Sequence, residues 1–113
     1  MPTEILEKHE IAGLDERARG FNRMVGVERA DGRLRAFLRY EVLHLETDGG
    51  QTVGDTVRRL VALLHARGFT QLRTRVSFRG GTYLGSQEPW VEYPDPESSG
   101  RWTDRLFRFL RIG

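Results

Sequence analysis

The sequence predicts an α+β fold in which two β-hairpins bracket a central helix and form a four-stranded, mainly antiparallel sheet, with further helices near the N and C termini. Three observations support this architecture. Asp31-Gly32 separates two alternating segments, residues 53–67 are amphipathic and lie between capping residues, and a second alternating segment runs from Thr70 to Gly80-Gly81. The chain has 113 residues, a common size for one domain, so we expect residues 1–113 to form a single α+β domain.

The N-terminal segment, residues 3–22, is predicted to be helical, either as one helix or as two short helices broken near Gly13. Its apolar residues recur at three- and four-residue spacing, at Ile11, Leu14, Ala18 and Phe21. Charged residues occupy the positions between them. This spacing would place the four apolar side chains on the core-facing side of a helix.

The dipeptide Asp31-Gly32 predicts the turn and the register of the first hairpin. Asp-Gly suits a two-residue type I′ turn because both central positions need positive φ. A hairpin closed there pairs Ala30 with Arg33, Glu28 with Arg35 and Val27 with Ala36. Alternation then puts the apolar side chains on one face and the arginines on the other, so turn chemistry and hydrophobic pattern agree in register.

A helix over residues 33–46 is the alternative for the second half of this hairpin. A helical stripe is also formed there by Leu34, Phe37, Leu38, Val42 and Leu45. The helix would leave Asp31-Gly32 without a structural role, so the hairpin is favoured. The alternation changes parity near Val42-Leu43, which predicts a bulge or a bend.

The central helix is predicted over residues 53–67. Thr52 and Asp55 have the spacing of a capping box, and Gly68 is a typical C-terminal stop. The buried stripe consists of Val57, Leu60, Val61 and Leu64.

The second hairpin is predicted from Thr70 onwards. Leu72, Thr74, Val76 and Phe78 alternate with Arg73, Arg75, Ser77 and Arg79. Gly80-Gly81 would reverse the chain and bring Tyr83 opposite Phe78. Residues 94–100 have the composition of a linker, and residues 102–112 form an amphipathic pattern typical of a C-terminal helix.

Composition excludes several classes of protein. The chain contains no cysteine, so disulfides, thiolate metal sites and cysteine nucleophiles are impossible. No stretch approaches the roughly 20 apolar residues of a membrane-spanning helix, and we expect no membrane span and a cytoplasmic location. Lys8 is the only lysine in an otherwise arginine-rich basic set, and 18 basic residues against 16 acidic ones give a net charge of only +2.

No motif points to catalysis, a metal or a cofactor. His9, His44 and His65 belong to no His-x-His or His-Glu-x-x-His pattern, and no Gly-x-Ser-x-Gly sequence marks a serine nucleophile. We therefore predict no metal, no cofactor and no catalytic residue. A small enzyme with an unfamiliar acid/base site is the third functional class, without residues to nominate.

Two surfaces carry the functional predictions. The leading hypothesis is a non-catalytic binding module that contacts a protein partner or a second copy of itself, through the aromatic residues Trp90, Tyr93 and Trp102. Trp90 and Tyr93 could equally fold back and cover the core.

The alternative hypothesis is nucleic-acid binding through an arginine-rich sheet face. If the two hairpins joined one sheet, Phe37 would lie among Arg33, Arg35, Arg39, Arg73, Arg75 and Arg79. Arginines beside a stacking ring are typical of single-strand binders. A solvated outer face on which arginines pair with glutamates is the competing interpretation.

Overall fold

The computed structural model describes residues 4–47 and 49–96. In this part of the chain, one helix packs on a seven-stranded antiparallel sheet. The strands are β1 (Glu4–Leu14), β2 (Gly20–Ala30), β3 (Arg33–Tyr40), β4 (Leu43–Glu46), β5 (Thr70–Arg79), β6 (Thr82–Tyr83) and β7 (Val91–Tyr93), and the helix is α1 (Val53–Ala66). The order across the sheet is β4-β3-β2-β1-β5-β6, and β7 pairs with β5 beside β6.

The predicted N-terminal helix is wrong, because residues 4–14 and 20–30 are the two longest strands. Ile11 and Phe21 are both buried, but on neighbouring strands, and Ala18 lies in the connecting turn with φ of 60°. Asp15 holds that turn, since its Oδ1 accepts hydrogen bonds from the backbone N–H groups of Arg17 and Arg19, both at 2.9 Å. The three- and four-residue spacing thus arose from two strands separated by a tight turn.

The first hairpin is confirmed in its register. Ala30 pairs with Arg33, Glu28 with Arg35 and Val27 with Ala36. Asp31 and Gly32 have φ of 54° and 75°, as a turn with two left-handed residues requires. Residues 33–40 are therefore a strand, and the helical alternative is excluded.

The parity change near Val42 marks a reversal of the chain, where a bulge or bend was expected. Glu41 adopts φ of 55°, and the chain returns as β4, with Tyr40 opposite Leu43. The sheet therefore has an additional strand at this edge. With β1 and β7, which were not expected either, this replaces the expected four strands, β2, β3, β5 and β6, by seven.

The central helix forms as expected, from Val53 to Ala66. Thr52 caps it, since the Thr52 hydroxyl oxygen accepts the backbone N–H of Asp55 at 3.1 Å. The predicted stripe is buried against one face of the sheet. The core between the two layers includes Ile11, Val25, Leu38 and Phe69, each almost inaccessible to solvent.

The second hairpin has the expected pairing of Phe78 with Tyr83, whose rings are 5.0 Å apart. The predicted alternation is interrupted, however. His9 pairs with Val76 while Lys8 pairs with Phe78, so Ser77 is an extra residue and is buried. This bulge shifts Phe78 onto the side of Lys8 and brings Arg79 opposite Glu7.

The predicted C-terminal helix at 102–112, with Trp102, lies outside the described residues. Among the residues that are described, no helix is long and apolar enough to cross a membrane.

Candidate functional site

The helix covers one face of the sheet, and no other described element packs on the opposite face, which we call the open face. Alternate residues of the strands belong to it, because neighbouring side chains on a strand point to opposite sides. The residues of the open face include Lys8, Glu10, Ala12, Asn22, Met24, Gly26, Glu28, Arg33, Arg35, Phe37, Arg39, His44, Glu46, Arg73, Arg75, Phe78, Tyr83 and the adjacent Trp90.

Phe37 lies flat on the middle of the open face, over the backbone of Gly26 on the neighbouring strand. A Cβ atom at Gly26 would be 2.2 Å from the ring carbon Cζ of Phe37 and within 2.8 Å of two further ring atoms. Only glycine leaves room for the ring in this position. The aromatic side chain is therefore held against the sheet and half-buried, although it belongs to the uncovered face.

Trp90 covers the β5 end of the open face. The guanidinium carbons of Arg73 and Arg75 lie 4.9 and 4.4 Å from its ring centroid, which is cation–π contact distance. Tyr93 lies on the other face of the sheet, the one covered by the helix. Its hydroxyl is 2.9 Å from Oγ1 of Thr74, a buried residue of that face. Trp90 and Tyr93 are therefore on opposite sides of the sheet.

The arginines of the open face are partly neutralised by carboxylates. Arg35 lies 3.6 Å from Glu28 and 3.6 Å from Glu46, and Arg75 lies 2.9 Å from Glu10. Hydrogen bonds from Asn22 and, secondarily, from Arg75 hold the pKa of Glu10 below its ordinary value, against the opposite effect of burial.

The remaining predicted arginines differ from one another. Arg33 and Arg39 are exposed and form no ion pair with any described residue, and Arg73 lies over the Trp90 ring. Arg79 is separated from the other five by the Ser77 bulge and lies 3.4 Å from Glu7. Five of the six arginines therefore share a face with Phe37, and Arg79 does not.

A second polar group, the pair Glu7 and His9, lies on the face of the sheet that the helix covers. The sequence analysis did not identify it. The imidazole Nε2 of His9 lies 2.9 Å from Oε1 of Glu7, and His9 is only 7% exposed. Burial lowers the pKa of His9 from its ordinary value, although the hydrogen bond to Glu7 opposes this shift. Residues two apart on a strand share a face, so the Glu7-x-His9 spacing would have indicated the pair had the segment been assigned as a strand.

The third cluster, around Asp15, is a structural one. Besides the two turn N–H groups, the carboxylate accepts hydrogen bonds from Nε of Arg19 at 2.8 Å and from the Tyr40 hydroxyl at 2.7 Å. Burial by itself would raise the pKa of Asp15, but these four donors outweigh it and hold the pKa far below the ordinary value. The same hydrogen bond raises the pKa of Tyr40. The buried carboxylate thus ties the β1–β2 turn to strand β3.

Within residues 4–47 and 49–96, no group of three or more histidine or acidic side chains is arranged to hold a metal ion. No protein-family model, no curated protein and no solved structure matches this chain.

Proposed function

We propose that the protein is a non-catalytic binding module and that the open face contacts another protein or a second copy of the chain. One observation carries this proposal: two aromatic rings are held rigidly on an uncovered sheet face, Phe37 over Gly26 and Trp90 over Arg73 and Arg75. Aromatic residues, methionine and arginine are the types enriched in the cores of protein interfaces. Rings that are already fixed lose little conformational entropy when a partner docks.

The exposed side chains around these rings fit the same interpretation. Met24 is 45% exposed on the strand next to Phe37 and adds a flexible apolar contact. Arg33 and Arg39, which lack carboxylate partners among the described residues, lie along the same strand as Phe37. They would form the charged rim of an interface and would favour partners with exposed acidic side chains.

Single-stranded nucleic acid is the second candidate, favoured by the coincidence of Phe37 with arginines on one face. Affinity of that kind comes mainly from cations that are free to neutralise phosphates. Arg35 and Arg75 already contact glutamates, and Arg79 is on the other side of the bulge. The charge pattern therefore favours a protein partner.

Site-specific photocrosslinking tests the proposal. A photoreactive phenylalanine analogue would replace Met24 in one variant and Leu63 in the other, in cells that express the full chain. Leu63 is the matched control, because it is 40% exposed but lies on the helix. We expect a discrete crosslinked protein, or a crosslinked dimer, from position 24 and none from position 63.

The crosslinked partner would then be titrated against purified variants. Trp90→Ala should weaken binding by about 30-fold if the ring contributes the roughly 2 kcal/mol of an interface hot spot, and Leu63→Ala should change little. Crosslinks that disappear after nuclease treatment would instead support the nucleic-acid candidate. Equal crosslinking from both positions would contradict both. The cytoplasmic location stays a prediction, which fractionation of the same cells would test.

A further inference from the structure

A pocket of about 220 Å³ lies on the helix side of the sheet, between the first turns of α1, strand β5 and the segment that leads into β7. Its walls are mainly apolar and include Val57, Val76, Pro89 and Val91. An apolar cavity of about 150 Å³ in a protein interior is large enough to hold benzene. The pocket is therefore suited to a molecule with one small ring or a short branched chain.

His9 lines this pocket and offers it a hydrogen-bond acceptor. A carboxylate oxygen can only accept, so the 2.9 Å contact with Glu7 requires the proton to be on Nε2. In the neutral ring the lone pair is then on Nδ1, and no described residue forms a second hydrogen bond to this imidazole. Glu7 in turn forms an ion pair with Arg79 at 3.4 Å, and this ion pair helps to fix the carboxylate that orients the His9 ring.

Thr74 and Tyr93 line the same pocket and offer a donor. Their hydroxyl oxygens are 2.9 Å apart, so one hydroxyl donates to the other. Whichever of the two accepts keeps its own hydrogen for a further acceptor. The apolar pocket thus contains one free acceptor and one free donor, both on buried or half-buried side chains.

The charged groups around the pocket disfavour a charged ligand. Three charged residues line it, and each already has a partner of opposite charge: Arg58 contacts Asp55, Arg75 lies 2.9 Å from Glu10, and Glu88 lies 4.0 Å from Arg79. A charged ligand would therefore meet no unpaired counter-charge among the described residues that line the pocket. A hydroxyl group is both donor and acceptor, and so matches the polar pair without bringing a charge.

We propose that the pocket formed by His9, Thr74, Tyr93 and the apolar residues around them binds a small, neutral, mainly apolar molecule that carries a hydroxyl group, such as a phenol or a short alcohol. The ligand hydroxyl donates to Nδ1 of His9 and accepts from the Thr74–Tyr93 pair, and its apolar part lies against Val57, Val76 and Val91. This site is on the opposite side of the sheet from the open face and is independent of the function proposed for that face.

Titrations of the full chain with three probes, followed by NMR, test the inference. Phenol carries the hydroxyl, anisole replaces it by a methoxy group that cannot donate, and benzoate brings a negative charge. We expect phenol to shift the signals of His9, Val76 and Tyr93 saturably. Anisole should bind about tenfold more weakly, because it leaves the acceptor of His9 unpaired in a buried position. Benzoate should not bind.

Two variants and one control complete the experiment. His9→Phe keeps a ring but removes the lone pair, so phenol and anisole should bind equally, whereas His44→Phe, on the open face, should preserve the tenfold preference. Val91→Trp fills the pocket from an exposed strand position and should abolish binding of every probe, which tests the site even if His9→Phe fails to fold. Equal affinity of the unaltered protein for phenol and anisole would overturn the inference, as would phenol shifts restricted to the open face.

Discussion

The contact between Gly26 and Phe37 can be tested by measuring protein stability. Gly26→Ala should destabilise the protein when Phe37 is present and stabilise it when Phe37 is replaced by alanine. Gly26→Ala places a methyl group within 2.2–2.8 Å of three ring atoms of Phe37, so the ring must leave its position over the strand. In a Phe37→Ala background the same substitution meets no ring. The pair therefore forms a double-mutant cycle in which one contact is removed from either side.

The magnitudes follow from that geometry. Overpacking of this kind typically destabilises a protein by about 1–3 kcal/mol, which is the expected cost of Gly26→Ala alone. Without the ring, alanine in place of glycine in a strand interior should stabilise by about 0.5–1 kcal/mol, because alanine loses less backbone entropy on folding. The interaction free energy between the two positions is then about 1.5–4 kcal/mol, well above the error of such cycles.

Urea unfolding of the four proteins, with linear extrapolation of the free energy of unfolding, measures this quantity. Gly20→Ala is the matched control, since Gly20 starts the same strand and a Cβ there would contact nothing within 4 Å. Its effect should be the same with and without Phe37. If Gly26→Ala also had equal effects in both backgrounds, within about 0.5 kcal/mol, the ring would not lie over Gly26 and the rigid-ring basis of the proposed binding face would fail.

Three further predictions concern other parts of the fold. The pKa of His9 in the folded protein lies below the ordinary 6.5, so the unfolded chain takes up the proton at a higher pH than the folded protein does. The contribution of neutral His9 to stability should therefore be complete above pH 6.5 and be lost as the pH falls from 6.5 to the lower folded-state pKa. In thermal melts, His9→Phe should flatten this dependence of the melting temperature on pH. The pKa of Asp15 is lowered from 3.8, so its carboxylate stabilises the fold above that pH. Asp15→Asn should therefore lower the melting temperature at pH 7, and the difference from the unaltered protein should shrink as the pH falls below 3.8; a constant difference would argue against the four hydrogen bonds. Thr52→Ala should cost about 1 kcal/mol through loss of the helix cap, while Thr52→Ser should cost little, both measured by urea unfolding.

The features that could be predicted from the sequence are those determined by neighbouring residues. Asp31-Gly32 specifies its turn through two positive φ angles, and the register of β2 and β3 follows from that turn alone. Thr52 and Asp55 likewise specify the start of α1. Five of the six arginines share a face with Phe37, as the alternation predicted, because both hairpins join one sheet with their apolar sides facing the helix.

The features that were missed depend on pairing between distant segments. The alternation in β1 is disturbed by register shifts near Ile5 and beyond Ala12, so the local pattern fits a helix better than a strand. What makes it a strand is hydrogen bonding to β2 on one side and β5 on the other. The His9 pocket could not be predicted for the same reason, since it needs β1, β5, β7 and α1 together.

The position of β1 between β2 and β5 also has a consequence for synthesis of the chain. The first four strands are joined by short connections and can pair as the ribosome delivers them, but His9 finds Val76 only after the helix has crossed the sheet. Until then one long edge of β1 exposes its backbone N–H and C=O groups, which is the condition under which nascent chains pair with the wrong strand. Docking of β5 closes that edge with a contact of long sequence separation, so it should be the slow step of folding. Pulse-labelled hydrogen exchange should find amide protection between β2 and β3 appearing before protection between β1 and β5.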